Sequence, residues 1–402
     1  MKFFSVAIAA AILAGSTTVA LADETAVKIG ILNDMSTLYA DLTGPGSVAA
    51  AKLAIEDAGG SLLGKPIELV SADHQNKADV GSQIARQWYE RDGVDVIADV
   101  PNSAVGLAVE GVSKDQQKIA LLVSPATSDI TGPNCSPYAA QWVFDTYSLA
   151  HVTGGAVVKQ GGDSWFFITA DYAFGHDLEA QTTAVVKSMG GKVLGDVNVP
   201  LNNADFSSFL LQAQASKAKI IGLANAGGDT INSIKQAAEF GIVKAGQRMA
   251  GLLVFITDVN SLGLDVAQGL QFTEAFYWDQ NDETRAFSKR FFERTQRMPT
   301  MIQAGVYSAL AHYFKAVKAA GTKDADKIMA KMREMPINDF MTKNGKLRID
   351  GRVMRDMYLF EVKKPSESKG PWDYYKLLET VPAEQAYRPL DKGNCPLVKA
   401  SN

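Results

Sequence analysis

Short apolar runs rich in Val, Ile and Leu recur along the chain, each followed by a polar loop and a stretch with helical spacing. The runs lack the period-2 alternation of a strand with one wet face. They therefore predict strands of parallel sheets covered on both faces. In the first half of the chain we predict strands at 27–32, 66–70, 94–100 and 118–123, and helices at 47–58, 78–91 and 103–112.

The same pattern starts again near residue 164. Both openings consist of an apolar strand, a polar loop with a tyrosine (Tyr39 or Tyr172), a glycine and a helix. The sequence therefore predicts an α/β fold with two doubly wound, Rossmann-like lobes. In the second half we predict strands at 164–169, 192–199, 219–223 and 251–255, helices at 175–189, 206–216, 229–240, 301–320 and 324–335, and a hairpin of 347–349 with 357–362 around Asp350 and Gly351.

The first residues have the pattern of an export signal. Lys2 precedes an apolar run at 3–15, and Ala20 and Ala22 form a small-x-small cleavage pattern. The run is shorter than the ~20 residues that span a bilayer, which argues against the alternative of a membrane anchor. We predict a signal peptide at 1–22, cleavage after Ala22, and a soluble mature chain.

Composition and charge exclude several classes of protein. A length of 402 residues suggests two to three domains, and 47% apolar residues suffice for large cores. The 40 basic and 44 acidic residues give a formal charge of −4, which argues against binding to nucleic acid. Four histidines and two cysteines leave little material for a metal centre, and no cofactor is expected.

Two glycine-rich segments approach nucleotide-binding motifs without meeting their requirements. Gly59, Gly64 and Lys65 have P-loop spacing, but Pro66 stands where the motif needs a hydroxyl. The segment GPGSVA at 44–49 fits a loose dinucleotide fingerprint, yet residues 33–43 separate it from the preceding strand. We expect neither segment to bind a nucleotide, although the helix start near residue 44 favours an anion.

Catalytic motifs are also missing from the sequence, which contains neither G-x-S-x-G nor H-E-x-x-H. His176 stands at a helix start and is interpreted as a solvated first-turn residue. His74 follows a predicted strand at the switch point of the first lobe, so it is a candidate ligand contact. The alternative for His74 is a buried histidine with no ligand.

Five segments together carry a resemblance to a known family. They read KIGILNDMSTLYADLTGPGSVAAAKLAIEDAGG, GKPIELVSADHQNKADVGSQIARQWYERDGVDVIADV, LLVSPATSDITG, FITADYAFGHDLEA and LANAGGDTINSIKQAAEFG. In this order they resemble the periplasmic solute-binding proteins of branched-chain amino acid (Leu/Ile/Val-type) ABC importers. The resemblance covers essentially the whole mature chain.

The resemblance implies a type I periplasmic binding protein, with two lobes joined by a multi-crossover hinge and a solute bound between them. It places the N-terminal lobe at 23–144 plus about 274–349, and the C-terminal lobe at 145–273 plus about 350–402. It further implies a monomer without enzymatic activity that delivers a small organic carboxylate to a permease in the inner membrane. The alternative function is a secreted α/β hydrolase with its active site in the cleft.

The resemblance also indicates which residues contact the ligand. In the family, backbone N–H groups and hydroxyls after the strands of the first lobe hold a carboxylate. The implied ligand contacts are Tyr39, Asn102, Ser103, Ala126, Thr127, Ser128, Tyr172, Asn225, Asp229 and Asp258. For each tyrosine the alternative is a packed core residue, and Phe255 is a further candidate for an aromatic wall.

The nature of the ligand depends on Asp258. The family has an acid for the substrate ammonium in a glycine-flanked turn, whereas this chain reads LLVFITDVN there. If Asp258 faces the cleft, it can pair with an amino acid. If it caps a turn, the site lacks that acid and favours an aromatic or other non-amino carboxylate, since burying an unpaired ammonium costs several kcal/mol.

The two cysteines, Cys135 and Cys395, lie in turn-rich polar segments. Because an exported protein meets an oxidising compartment, we predict a disulfide between them. The alternative is two unpaired, buried thiols.

Overall fold

The computed structural model describes residues 26–400, so the predicted signal peptide and its cleavage after Ala22 lie outside the described residues. The strands are β1 Val27–Asn33, β2 Ser61–Leu62, β3 Lys65–Asp73, β4 Val96–Asp99, β5 Ile119–Leu122, β6 Ala139–Gln141, β7 Ser164–Ala170, β8 Lys192–Val199, β9 Ile220–Ala224, β10 Arg248–Gly251, β11 Gln271–Glu274, β12 Lys346–Leu347, β13 Val353–Met354, β14 Met357–Val362 and β15 Tyr375–Val381. The α-helices are α1 Gly44–Asp57, α2 Ala78–Glu90, α3 Ser103–Gln116, α4 Thr146–Leu149, α5 Gly155–Lys159, α6 Ala173–Ser188, α7 Ser207–Ala215, α8 Gly228–Glu239, α9 Ile256–Leu262, α10 Leu264–Ala267, α11 Asp282–Thr295, α12 Met301–Ala320, α13 Ala325–Glu334, α14 Ala383–Ala386 and α15 Pro396–Ala400. A π-helical turn at Ala150–Gly154 joins α4 to α5.

The first sheet has the strand order β2-β3-β1-β4-β5-β6, and all its pairs except β2–β3 are parallel. Neighbouring residues of one strand belong to opposite cores, as Leu121 and Leu122 of β5 do, so helices cover both faces. The chain goes from β1 to β3 on one side and then to β4 on the other. The loops after β1 and β4 therefore flank a topological switch point, where such sheets open a ligand crevice.

The second sheet has the order β10-β9-β7-β8 and is parallel throughout. Its switch point lies between β7 and β9. Phe166 and Phe167 of β7 point into different cores. A third sheet, β11-β14-β15, is antiparallel and packs with the core of this second unit. The prediction of two doubly wound α/β lobes is confirmed.

Two local predictions are wrong. The strand predicted at 251–255 lies three to four residues earlier, at β10. The apolar run after it is a buried loop that ends where Phe255 caps α9. The predicted hairpin around Asp350 exists, but β12 pairs with β13. The residues at 357–362 form β14, which pairs with β11 and β15 instead. A continuous apolar run marks burial, but it does not separate a strand from a buried loop.

Three chain segments pass between the two units, after β6, after β11 and after β13. Arg352, just before β13, is fully buried and joins its own segment to the one after β6, because its Nη1 donates to the carbonyl of Phe144 at 2.9 Å. Gly351 has a φ of +87°, and its carbonyl accepts the N–H of Gln141. A Cβ there would come within 2.8 Å of the Ala139 carbonyl oxygen, so the close crossing requires glycine.

The C-terminal tail returns to the first unit. Cys135 and Cys395 form the predicted disulfide, with 5.6 Å between their Cα atoms. Before it, Tyr387 donates its hydroxyl to the Val143 carbonyl, and Arg388 donates to the Ser128 carbonyl. Within residues 26–400, no helix combines the length and apolar character needed to cross a bilayer.

Candidate functional site

A cavity with about 340 Å³ of empty space lies between the two units, at the switch points of both parallel sheets. The loops after β1, β4 and β5 line it from one side, and those after β7, β9 and β10 from the other. The lining residues are Tyr39, Leu42, Thr43, Pro101, Asn102, Ser103, Ser124, Ala126, Phe144, Tyr172, Phe174, Ala226, Leu253, Phe255 and Ile302.

The N-terminus of α3 forms the polar wall of the cavity. Asn102 caps this 14-residue helix, since its Oδ1 accepts the N–H groups of Ala104 and Val105 at 2.9 and 3.3 Å. Ser103 Oγ accepts the N–H of Ala126 at 3.2 Å. In the described part of the chain the backbone N–H of Ser103 donates to no protein acceptor. Free N–H groups and the helix dipole make this wall suitable for an anion.

The loop that leads to α3 has an unusual backbone. Asp99, Val100 and Asn102 have φ values of +81°, +63° and +78°. A β-branched residue such as Val100 rarely adopts this region, and such strain collects at functional sites. Burial raises the pKa of Asp99 to about 6, although its hydrogen bonds, among them one from Ser124 Oγ at 2.6 Å, act in the opposite direction.

The aromatic residues of the cavity come from both lobes. The hydroxyls of Tyr39 and Tyr172, one from each lobe, lie 2.6 Å apart and form a hydrogen bond across the cleft. Burial raises the pKa of both phenols well above the ordinary value, so both are protonated at neutral pH. Phe144 and Phe255, which also line the cavity, meet edge to face with 6.3 Å between their ring centroids. Such walls favour a flat, apolar ligand body.

The loop that carries Tyr39 is fixed by Asp34. Its carboxylate accepts the N–H groups of Thr37 and Tyr39, both at 2.8 Å, and the amide of Asn76 at 2.6 Å. His74 lies behind this loop, fully buried, and its Nδ1 accepts the N–H of Asn76 at 3.0 Å. Burial lowers the pKa of His74 to about 4, and this residue does not line the cavity.

The two lobes touch at the mouth of the cavity. Gly227, at φ +60°, lies so close to Tyr39 and Leu38 that a Cβ would be 3.1 Å from the Leu38 carbonyl oxygen. The described structure is therefore a closed one.

None of the residues that line the cavity is charged. Asp258 points elsewhere: it is 1% exposed, and its Oδ2 accepts the N–H of Phe255 at 2.9 Å, which caps α9. Burial raises the pKa of Asp258 to about 7. Of the two alternatives for this residue, the structure has the turn-capping one.

The predicted contact residues separate into two groups. Tyr39, Asn102, Ser103, Ala126 and Tyr172 line the cavity. The side chains of the others make hydrogen bonds within the protein and do not line it; these residues are Thr127, Ser128, Asn225, Asp229 and Asp258.

Asn225 and Asp229 illustrate this internal role. Asn225 Oδ1 accepts the hydroxyl of Thr230 at 2.7 Å, and Asp229 accepts the N–H groups of Asn202 and Asn203 at 3.1 and 3.0 Å. These bonds fix the loops after β8 and β9 in place.

Sequence reasoning missed several lining residues, among them Ser124, Phe174 and Ile302. Ser124 and Phe174 each stand two positions from a predicted contact. The general rule that ligand contacts lie just after the carboxyl ends of parallel strands could therefore have found them. Ile302 lies in the first turn of α12, far along the chain, and nothing in its local pattern places it at the cleft.

The stability of the protein should depend on pH through Asp258. The folded state binds its proton up to about pH 7, whereas an unfolded Asp releases it near pH 4. The free energy of unfolding should therefore fall as pH rises between these values, by at most about 1.4 kcal/mol per pH unit for this group. Asp258→Asn keeps the hydrogen-bond acceptor of the cap and removes the titrating group. The free energy of unfolding, measured with urea at pH 4.5, 6 and 8, should therefore vary less with pH in this variant than in the original protein. Parallel profiles for the variant and the original protein would contradict this assignment.

Comparison with known proteins gives one consistent result. A sequence model of the family described as periplasmic binding protein matches residues 26–370. A periplasmic binding protein from Burkholderia mallei is 51% identical; the match covers 92% of this chain and 99% of that chain, with a TM-score of 0.91. A branched chain amino acid ABC transporter periplasmic ligand-binding protein from Burkholderia xenovorans is 44% identical with the same coverage and a TM-score of 0.83. A third protein shares the fold: a solute binding protein of an ABC transporter from Rhodopseudomonas palustris, solved with 3,4-dihydroxy benzoic acid. It is 24% identical; the match covers 89% of this chain and 97% of that chain, with a TM-score of 0.80.

Proposed function

This chain belongs to the periplasmic binding protein family, and we propose that it is the solute receptor of an ABC importer. Exported and cleaved after Ala22, it works as a monomer in the periplasm. Its two lobes, 23–144 with about 274–349 and 145–273 with about 350–402, close on a small organic carboxylate. The closed form presents this ligand to the permease without altering it chemically.

The observation that carries the choice of ligand is the uncharged wall of the cavity. An amino acid would bury its ammonium there without an acidic partner, at a cost of several kcal/mol. A carboxylate without an amino group avoids this cost. We therefore propose an aromatic or other non-amino carboxylate as the ligand.

The wall residues suggest how such a ligand lies. Its carboxylate accepts the free N–H of Ser103 and the side-chain amide of Asn102 at the positive end of α3. Its ring lies between Tyr39, Tyr172 and Phe255.

The relatives named above are consistent with both ligand classes. The name of the Burkholderia xenovorans protein refers to branched chain amino acids, and the Rhodopseudomonas palustris protein was solved with an aromatic acid. The fold therefore does not decide between the two classes. The chemistry of this chain's own cavity favours the aromatic acid.

Mass spectrometry of protein purified without denaturation tests the receptor function. We expect a non-covalently retained small carboxylic acid that leaves unmodified when the protein is unfolded. A secreted hydrolase, the alternative function, would instead convert added esters or amides catalytically. Turnover of such compounds by the purified protein would contradict the proposal.

A further inference from the structure

Asp177 on α6 makes a dense set of contacts beside the ligand cavity. Its Oδ2 accepts the N–H of Ser128 at 2.7 Å and the hydroxyls of Thr127 and Ser128 at 2.9 Å each. The hydroxyl of Thr146 donates to the same oxygen at 2.5 Å. Gln181 donates to Asp177 Oδ1 at 3.1 Å and to Ser128 Oγ at 3.2 Å. Hydrogen bonds to a carboxylate are stronger than those between neutral groups, so this set of contacts strongly favours the arrangement in which Asp177 reaches Thr127 and Ser128.

The contact joins the two lobes. Thr127 and Ser128 follow β5 of the first sheet. Thr146 begins α4 in the same lobe as Asp177, and its hydroxyl accepts the N–H of Ser128 across the cleft at 3.1 Å. Asp177 belongs to the helix that follows β7 of the second sheet, one turn beyond Phe174 in the cavity wall. Separation of the lobes therefore breaks this contact.

We propose that Asp177 is a positioning residue that latches the closed form, an inference that rests on the proposed receptor function. Its carboxylate accepts hydrogen bonds from Thr127 and Ser128, which the family resemblance assigns to the ligand. A ligand carboxylate is repelled from that place and must bind at Asn102 and Ser103 instead. The residue thus acts on both closure and the orientation of the ligand.

The latch also predicts how the free protein behaves. The donors and the acceptor are all parts of the chain, so they stabilise closure before any ligand binds. The hydroxyl pair of Tyr39 and Tyr172 adds a second contact across the cleft. Because a ligand of the closed form binds in proportion to the population of that form, loss of the latch weakens every ligand by a similar factor.

Asp177→Asn tests the latch, because the amide keeps the size of the side chain and removes its charge. Hydrogen exchange of the Ser128 amide in unliganded protein should become at least about tenfold faster. The dissociation constant for benzoate, used as the probe, should rise by a similar factor. Thr146→Val removes a hydroxyl that donates to Asp177 and accepts the N–H of Ser128, so it should give a smaller change in the same direction. Thr146→Ser keeps the hydroxyl and should behave like the original protein.

Glu179→Gln is the matched control. Glu179 lies on the same helix, but it accepts the hydroxyl of Thr169 within the second lobe. This variant should leave both the exchange and the affinity unchanged. Unchanged exchange and affinity in Asp177→Asn would overturn the latch. If benzoate and the other acids fail to bind the original protein while exchange still accelerates in Asp177→Asn, the latch holds and the proposed ligand class fails.

Discussion

Benzoate or a hydroxycinnamate should bind at least about a thousandfold more tightly than leucine. The cavity offers an anion site at the N-terminus of α3 and an aromatic wall, but no charged side chain for an ammonium. Burying an unpaired ammonium costs several kcal/mol, and each 1.4 kcal/mol is a factor of ten in affinity. Titration calorimetry with leucine, phenylalanine, benzoate and a hydroxycinnamate measures this difference directly.

Phenylalanine separates the two parts of the argument, since it has both a ring and an ammonium. It should bind as poorly as leucine if the missing acid decides the specificity. Asp258→Asn is the control for a hidden acid, because Asp258 is buried in the cap of α9 and should not affect affinity. Tight binding of leucine that Asp258→Asn abolishes would show that the ligand is an amino acid.

The sequence predicts the fold well because burial on both faces leaves a strong signal. Most of the first seven predicted elements agree with the structure to within a few residues, for example 103–112 against α3. The errors occur where apolar residues are buried outside regular secondary structure or where a strand is very short. The apolar residues between β10 and Phe255 are buried in a loop, and the two-residue strand β13 is too short to leave a pattern.

The candidate site was predictable only in part. The family resemblance identifies Tyr39, Asn102, Ser103 and Tyr172. Their positions agree with the general rule that the loops after parallel strands meet at the switch points. Which side chains of a loop face the cavity depends on local hydrogen bonds. Thr127 and Ser128 turn to a carboxylate of the other lobe, and Asp258 turns to its own helix, as no spacing in the sequence could show.

Removal of the disulfide should lower the free energy of unfolding by about 4–5 kcal/mol. The bond joins Cys135 to Cys395, 260 residues apart, so it greatly restricts the unfolded chain. The double variant Cys135→Ser, Cys395→Ser should still fold, because Tyr387 and Arg388 hold the tail by their own hydrogen bonds. Urea unfolding followed by tryptophan fluorescence measures the loss, with circular dichroism to confirm the native fold.

The original protein under reducing conditions is the matching comparison, since it lacks the bond but keeps both sulfur atoms. It should unfold at the same urea concentration as the double variant, because the effect arises from the lost cross-link rather than from the serine side chains. Thiol titration of denatured, unreduced protein should find no free thiol. Two free thiols would show that the bond does not form and that the tail is held by its hydrogen bonds alone. A double variant as stable as the original protein would show that the cross-link does not contribute the expected stability.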